Sequence, residues 1–291
     1  MSGALSAVQP EVMAHAPPGR GGALRAWLSA MPDTLRAEWT KLRTVSGTAW
    51  LLAGLVMATV ALSAAAVGAT TCTTPRLGCA ADTTKLSLTG IYLGQAVVAI
   101  LAVMVVCNEY STGMIRLTLV AMPRRLAVLT AKGVLVVALV LAAGTVAVAG
   151  SLLAGRLLLP GNGFTAAHGY PALSLAHGPT LRAACGSVLY LALIALLCLG
   201  IAAAVRESAV AIGLSLGLLF VPSIVIALTV TNKVWLHRLE RYTPMNAGLT
   251  IQDSTGLHSL PITPWAGLGV LAVWAAAALL IGGLLLRLRD A

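Results

Sequence analysis

Residues 184–231 read ACGSVLYLALIALLCLGIAAAVRESAVAIGLSLGLLFVPSIVIALTVT, two apolar runs parted by the charged pair Arg206-Glu207. Each run, 184–205 and 209–231, is close to the ~20 residues a helix needs to cross a ~30 Å hydrocarbon core. Four more runs of the same kind lie at 49–69, 88–106, 133–154 and 265–286, and none of the six holds an Asp, Glu, Lys, Arg or His. In lipid every backbone polar group must be paired within the protein, so such spans are helices rather than strands. The expected fold is an all-α polytopic membrane protein with six transmembrane helices.

Composition agrees with that reading. The chain is 58% hydrophobic and only 10% charged, against roughly 25% charged residues in a soluble domain. Spans, tails and loops use up nearly all of the 291 residues, which leaves no room for a sizeable soluble domain. The net charge of +10 does not form a nucleic-acid patch, because the basic residues stand scattered at span ends. Twelve Lys/Arg fall in the tails and even-numbered loops and seven in the odd-numbered loops. The positive-inside rule then places both termini in the cytoplasm, and the basic excess reads as topology plus attraction to anionic membrane lipid.

Before the first span the chain divides in two. Residues 1–22 are rich in Ala, Pro and Gly and lack the apolar core of a secretion signal, so a disordered cytoplasmic tail is expected and the first span serves as the uncleaved entry signal. Within 23–48, Asp33 can cap a helix in which Leu35, Trp39 and Leu42 recur on one side, with Arg36, Glu38, Lys41 and Arg43 on the other. That pattern fits an amphipathic helix in the membrane interface, or a plain extension of the first span into water. The transmembrane domain proper is 49–291. Trp50 and Trp265 open the first and last spans, where indole rings favour the interface.

Polar residues within the spans are few. Gln95 can either touch a substrate or bond a neighbouring helix, and Pro222 should kink the fifth span. Small-residue pairs that permit close helix approach are Gly213 with Gly217 and Ser151 with Gly155. The spans lack the buried ionisable relays usual in ion-driven carriers. The chain contains no Gly-Lys pair, hence no Walker A loop. Energy for uphill movement would therefore come from another chain. No Cys/His spacing suits a metal. Cys72 and Cys79, in the loop after the first span, have a spacing that permits a disulfide without fixing one. Cys107, Cys185 and Cys198 read as apolar filler.

The loop NEYSTGMIRLTLVAMPRRLAVLTAK, residues 108–132, carries the functional reading. Ile115, Leu119 and Met122 share a helical face, and Pro123 ends that helix before Arg124-Arg125. A short helix held between two spans can dock in a groove of a cytoplasmic partner and act as a lever. Alternatively, its arginines anchor it to lipid.

With Glu109, Gly113, Pro123, Arg124, Arg125 and Lys132 at their spacings, this loop resembles that of ATP-binding-cassette exporter permeases of the type 2 class. LRAEWTKLRTVSGTAW, with Glu38, Lys41 and Arg43, is similar to the N-terminal segment of actinobacterial members, and Pro244–Gly248 (PMNAG) resembles a segment before their last span. Met114 departs from the Thr that many members carry after the Gly. The resemblance implies a non-hydrolytic subunit paired with a second permease copy and a separate ATPase. The coupling residues would be Glu109, Gly113, Ile115, Arg116, Leu119, Met122, Pro123, Arg124 and Arg125, and the interfacial helix would use Glu38, Trp39, Lys41 and Arg43. Gln95 and Pro222 are candidates for the substrate path. No cofactor is expected on this chain; ATP and Mg would sit on the partner. In relatives the region matching 232–264 tends to dip into the outer leaflet, although its sequence equally suits a surface helix. The rival function is a membrane anchor or sensor that recruits a signalling partner through 108–132.

Overall fold

The computed structural model of the chain describes residues 35–44, 46–72, 81–111, 125–168, 173–229 and 233–288, together with Pro32 and Tyr170. Every regular element among them is a helix. In chain order they are α1 (residues 35–44), α2 (Ser46–Gly68), the short α3 (Thr83–Ser87), α4 (Ile91–Ser111), α5 (Arg125–Leu158), α6 (Gly178–Val205), α7 (Ser208–Thr229), α8 (Lys233–Tyr242), α9 (Pro244–Leu249) and α10 (Pro264–Leu288). Six of these, α2, α4, α5, α6, α7 and α10, are long and apolar enough to cross a membrane. They coincide with the six apolar runs to within a few residues at most ends.

One end differs. The third span was expected from residue 133, yet α5 begins at Arg125 and takes in Lys132, while α4 runs on through Glu109 to Ser111. The expectation that every ionisable residue lies outside the spans is thereby corrected: Glu109 and Lys132 belong to span helices, and both are buried. With 34 residues, α5 is about 51 Å long at 1.5 Å per residue, well beyond the ~30 Å hydrocarbon layer.

The centre of the bundle is α6. Tyr190, Leu191, Ile194, Leu197 and Leu199 on this one helix are fully buried, and α10, α4, α5 and α7 pack around it. The α6–α10 contact is the most extensive. A Cβ on Gly200 would lie 2.5 Å from the Ala278 backbone carbon, and one on Gly282 would lie 2.5 Å from the Gly200 carbonyl oxygen. Only hydrogens fit there, which lets the two backbones touch as small residues permit in membranes. Gly213 and Gly217, by contrast, face open space. Gly155 packs on Ser87 of α3 and Ser151 is buried.

The Arg206-Glu207 break is a built turn. Arg206 closes α6 in the left-handed conformation, φ 65°, its N–H bonding Ala202 O at 2.9 Å. Its guanidinium lies 5.5 Å from the Tyr110 ring centroid and donates to Leu285 O. Glu207 then accepts from the N–H groups of Ala209 and Val210 at 3.0 and 2.6 Å. A carboxylate on the first N–H groups of α7 satisfies donors that have no partner within that helix. Pro222 sits inside α7, and the helix continues on both sides of it.

At the end of the bundle away from α1, the segment after α8 folds inward. Met245, Ala247, Leu249, Ile251 and Gln252 are buried. A Cβ on Gly248 would lie 2.6 Å from the Tyr190 ring, and one on Gly267 would lie 2.0 Å from Ala247 O. Within the PMNAG stretch the glycine is therefore the point at which α9 seats on α6. Of the two readings of 232–264, the part from 244 to 252 lies tucked among the helices, while Trp235, Leu239 and Tyr242 of α8 are exposed. Trp50 and Trp265 also point outward.

Candidate functional site

Where α1 meets the adjoining ends of α4 and α5, four charged side chains form a closed ring. Lys41 Nζ lies 3.0 Å from Glu38 Oε1 and 2.9 Å from Glu109 Oε1; Lys132 Nζ lies 2.7 Å from Glu38 Oε2 and 2.9 Å from Glu109 Oε1. Lys132 also donates to Val105 O at 3.3 Å. Two carboxylates and two ammonium groups cancel, so the ring is neutral. Exposures of 3% for Glu38 and 5% for both Glu109 and Lys132 show how far from water it sits. A lone charge so buried would be costly; mutual pairing is what permits these four. Lys41 is the half-exposed member. Burial lowers its pKa, but hydrogen bonds to Glu109 and Glu38 outweigh that and hold it above the ordinary lysine value.

Local structure explains the ring. Glu38 and Lys41 stand three residues apart on α1 and so share a face. Glu109 lies two residues before the end of α4, and Lys132 lies two turns into α5. The ring thus brackets the stretch 112–124 and ties its two flanking helices to α1. Beside it opens a cavity of about 370 Å³ between α1, α2 and α4, lined by Leu51, Leu101, Met104 and Asn108 as well as the ring. Glu109 Oε2 is buried there without a hydrogen-bond partner among the described residues.

The charged side of α1 is divided: Glu38 faces the bundle, whereas Arg36 is exposed, and Trp39 is 46% exposed. The ion pairs to Lys41 and Lys132 hold Glu38 inward. Arg43 is exposed. Gly113, Ile115, Arg116, Leu119, Met122, Pro123 and Arg124 lie outside the described residues, as does Asp33. Arg125 is the first residue of α5.

A second polar centre occupies the interior. Tyr190 Oη donates to Gln95 Oε1, Gln95 Nε2 approaches Met245 Sδ at 3.4 Å, and Ser223 Oγ donates to Asn246 Oδ1 at 2.8 Å. The Gln95 side chain is fully buried and links α4, α6 and α9. Pro222 neighbours this centre through Ser223. At the far end, Asp82 caps α3 and accepts from Ser254 N, Ser254 Oγ and Thr255 N at 2.5, 2.6 and 3.0 Å. Lys85 pairs with Asp253 at 2.6 Å, and Arg182 donates to the Asp253 carbonyl. Burial alone would raise the Asp82 pKa, but the bonds from Ser254, Lys85 and Thr255 hold it below the ordinary aspartate value. For Lys85, burial opposes the charge, and Asp253 outweighs it to raise the pKa. Cys72 is disulfide-bonded, and Cys107, Cys185 and Cys198 are free; Cys79 lies outside the described residues.

A family model described as ABC-2 family transporter protein matches residues 34–223, which take in α1, the first four spans, most of the fifth and all four members of the ring. The chain belongs to the ABC-2 transporter family. This ABC-2 protein is a multi-pass membrane permease component, of a family that is generally non-catalytic. The matched region stops short of α9 and α10. No curated protein matches the ABC-2 chain.

Lys132 was legible only as one position of the resemblance and Asn246 only as part of the PMNAG stretch, and Tyr190 and Ser223 carried no sequence signal at all. Opposite charges at facing span borders, together with a Glu-Lys pair three apart just before a span, are the pattern that points to the ring.

Proposed function

We infer that the chain is the permease subunit of an ATP-driven exporter, which works as a dimer and is powered by a separate ATPase. The observation that carries this reading is the ring. It clamps α1, α4 and α5 together at both roots of the 112–124 stretch, so a push on that stretch is delivered to three helices at once. The stretch would dock on the ATPase as a short helix, with Ile115, Leu119 and Met122 on the contact face and Arg124-Arg125 on its flank. ATP and Mg would be bound by the partner, and this chain supplies no residue to hydrolysis. Both termini and the ring then face the cytoplasm, with the chain in the plasma membrane and the Asp82 latch outside.

Cargo would move along a path between two permease copies, as a hydrophobic or amphipathic molecule. Few polar side chains are free to serve it: Gln95 and Tyr190 are spent on each other, and the large exposed side chains of the spans are aliphatic or aromatic.

Two variants of the full-length protein, each co-expressed with a candidate partner ATPase, test this reading. Reversing Arg124 and Arg125 to Glu should leave membrane insertion intact and release the ATPase during co-purification. Glu109→Gln should keep the complex but lower transport per ATP hydrolysed. Unchanged co-purification of the first variant, or unchanged coupling in the second, overturns the docking role or the lever role respectively.

A further inference from the structure

Between α5 and α10, at the same end of the bundle as the ring, runs a groove of about 800 Å³. Its walls are Leu129, Val137 and Leu141 of α5 with Leu280 and Leu284 of α10, and Leu196 of α6 forms the floor. The floor is low because two lining positions are glycine: a Cβ on Gly133 would sit 3.8 Å from Leu196, and one on Gly283 would sit 3.4 Å from Leu126. Apart from Thr130 and Arg287, every lining residue is aliphatic or glycine. Thr130 spends its hydroxyl on Ala127 O at 2.9 Å within its own helix. The groove walls therefore offer water almost no hydrogen bonds and suit an apolar occupant. Left empty, its walls would forfeit their dispersion contacts.

Arg287 decides what fills it. It lies at the mouth of the groove, one residue before the end of α10, and is exposed. Among the described residues it has no ion pair or hydrogen bond, whereas Arg206 bonds a carbonyl and stacks on a ring. A guanidinium is well shaped to hold a phosphate through paired N–H donors. Length agrees as well. From Leu126 to Leu141 the groove follows α5 for about 22 Å at 1.5 Å per residue, which suffices for a chain crossing one leaflet of a ~30 Å core.

We propose that the α5–α10 groove is a binding site for an anionic phospholipid, with one acyl chain along Leu196 and the headgroup phosphate on Arg287. The site is separate from the ring and from the 112–124 stretch. It does not depend on export, on a partner ATPase or on which way the chain faces.

The test uses the full-length protein purified in detergent, stripped of lipid and offered phosphatidylglycerol and phosphatidylcholine of matched chain length, with retention read by native mass spectrometry. Wild type should retain phosphatidylglycerol in preference. Arg287→Gln should cut that retention about fivefold, the equilibrium change expected for one basic group facing an anionic membrane lipid, and cut phosphatidylcholine retention less, because the choline cation offsets its phosphate charge. Gly133→Leu fills the groove and should remove both lipids. If that variant does not fold, Arg287→Gln decides alone, because its side chain is exposed. Arg156→Gln, at the opposite end of α5, should change nothing at this site. An unchanged preference in Arg287→Gln overturns the proposal, as does an equal loss in Arg156→Gln. A Gly133→Leu variant that keeps its lipid but loses cargo transport would make the groove a cargo path instead. Efficient cross-linking between two copies through Ala138→Cys would make it a subunit interface.

Discussion

Replacing Lys132 with methionine removes one ammonium from the ring and keeps its length and apolar stem. Lys132 makes two contacts, at 2.7 and 2.9 Å, to carboxylates whose side chains are 4% and 7% exposed. Each contact is about 6 kcal/mol of gross attraction at an effective dielectric of about 20. Desolvation of the charges offsets most of that. What remains after the change is two buried carboxylates facing one ammonium, and stranding a buried charge in this way costs about 3–5 kcal/mol. Lys41→Met should cost far less, about 1 kcal/mol, because the Lys41 side chain is 38% exposed and water already screens it. The double variant Lys132→Met/Glu38→Gln restores neutrality and leaves the 2.9 Å Lys41–Glu109 pair. It should be more stable than the sum of the two single losses by 1 kcal/mol or more, which the handful of comparable coupled sites (about 0.5–3 kcal/mol) allows. Denaturant titration of the purified protein in mixed micelles gives all four values. A Lys132→Met protein as stable as wild type would refute the reasoning, and so would a Lys41→Met protein less stable than Lys132→Met.

Gly200→Ala should loosen the α6–α10 contact by about 1–3 kcal/mol, because the added carbon meets the Ala278 backbone and backbone cannot rotate away. A cysteine cross-linking rate between the two helices that stays at the wild-type value would contradict this. Gly248→Val should push α9 off the Tyr190 ring at a similar cost, visible as faster hydrogen exchange across residues 244–252 and absent if Tyr190 simply swings clear. The Asp82 latch should depend on pH in one direction. Because the folded pKa lies below the unfolded one, its stabilisation is complete above about pH 4 and fades as pH falls through the depressed value. Protection factors at Ser254 and Thr255, taken relative to the intrinsic exchange rate at each pH, should therefore fall on acidification in wild type and be low at every pH in Asp82→Asn; a flat wild-type profile would count against the latch.

Hydropathy located all six spans because lipid burial is a local property of twenty-residue runs. It misplaced the start of the third because Lys132 reads as water-seeking by itself. Its neutralising partner Glu38 is 94 residues away in sequence, and no local pattern carries that pairing. The same pairing turned Glu38 toward the bundle, while Arg36 and Arg43 on the expected charged side stayed exposed. Small-residue spacing worked differently. Gly213 and Gly217 have the familiar interval yet meet nothing within 4 Å among the described residues, whereas a close backbone approach joins Gly200 to Gly282 on separate spans. The family resemblance carried information that periodicity lacked, since it marked Glu38, Lys41, Glu109 and Lys132 before any contact between them was visible. PMNAG was legible as a motif, but that its glycine rests on Tyr190 follows only from the packing.

The neutrality of the ring has an electrical consequence. A charge moved through a membrane field gains about 2.3 kcal/mol per 100 mV, so an unpaired lysine or glutamate on a moving helix would tie the stroke to the voltage of the cell. Because the ring's charges sum to zero, displacing it as one body does no net work against that voltage. The lever proposed above would thus gain no voltage dependence from these four side chains. Lys132→Met, which leaves one negative charge behind, should be the variant whose turnover begins to follow the membrane potential.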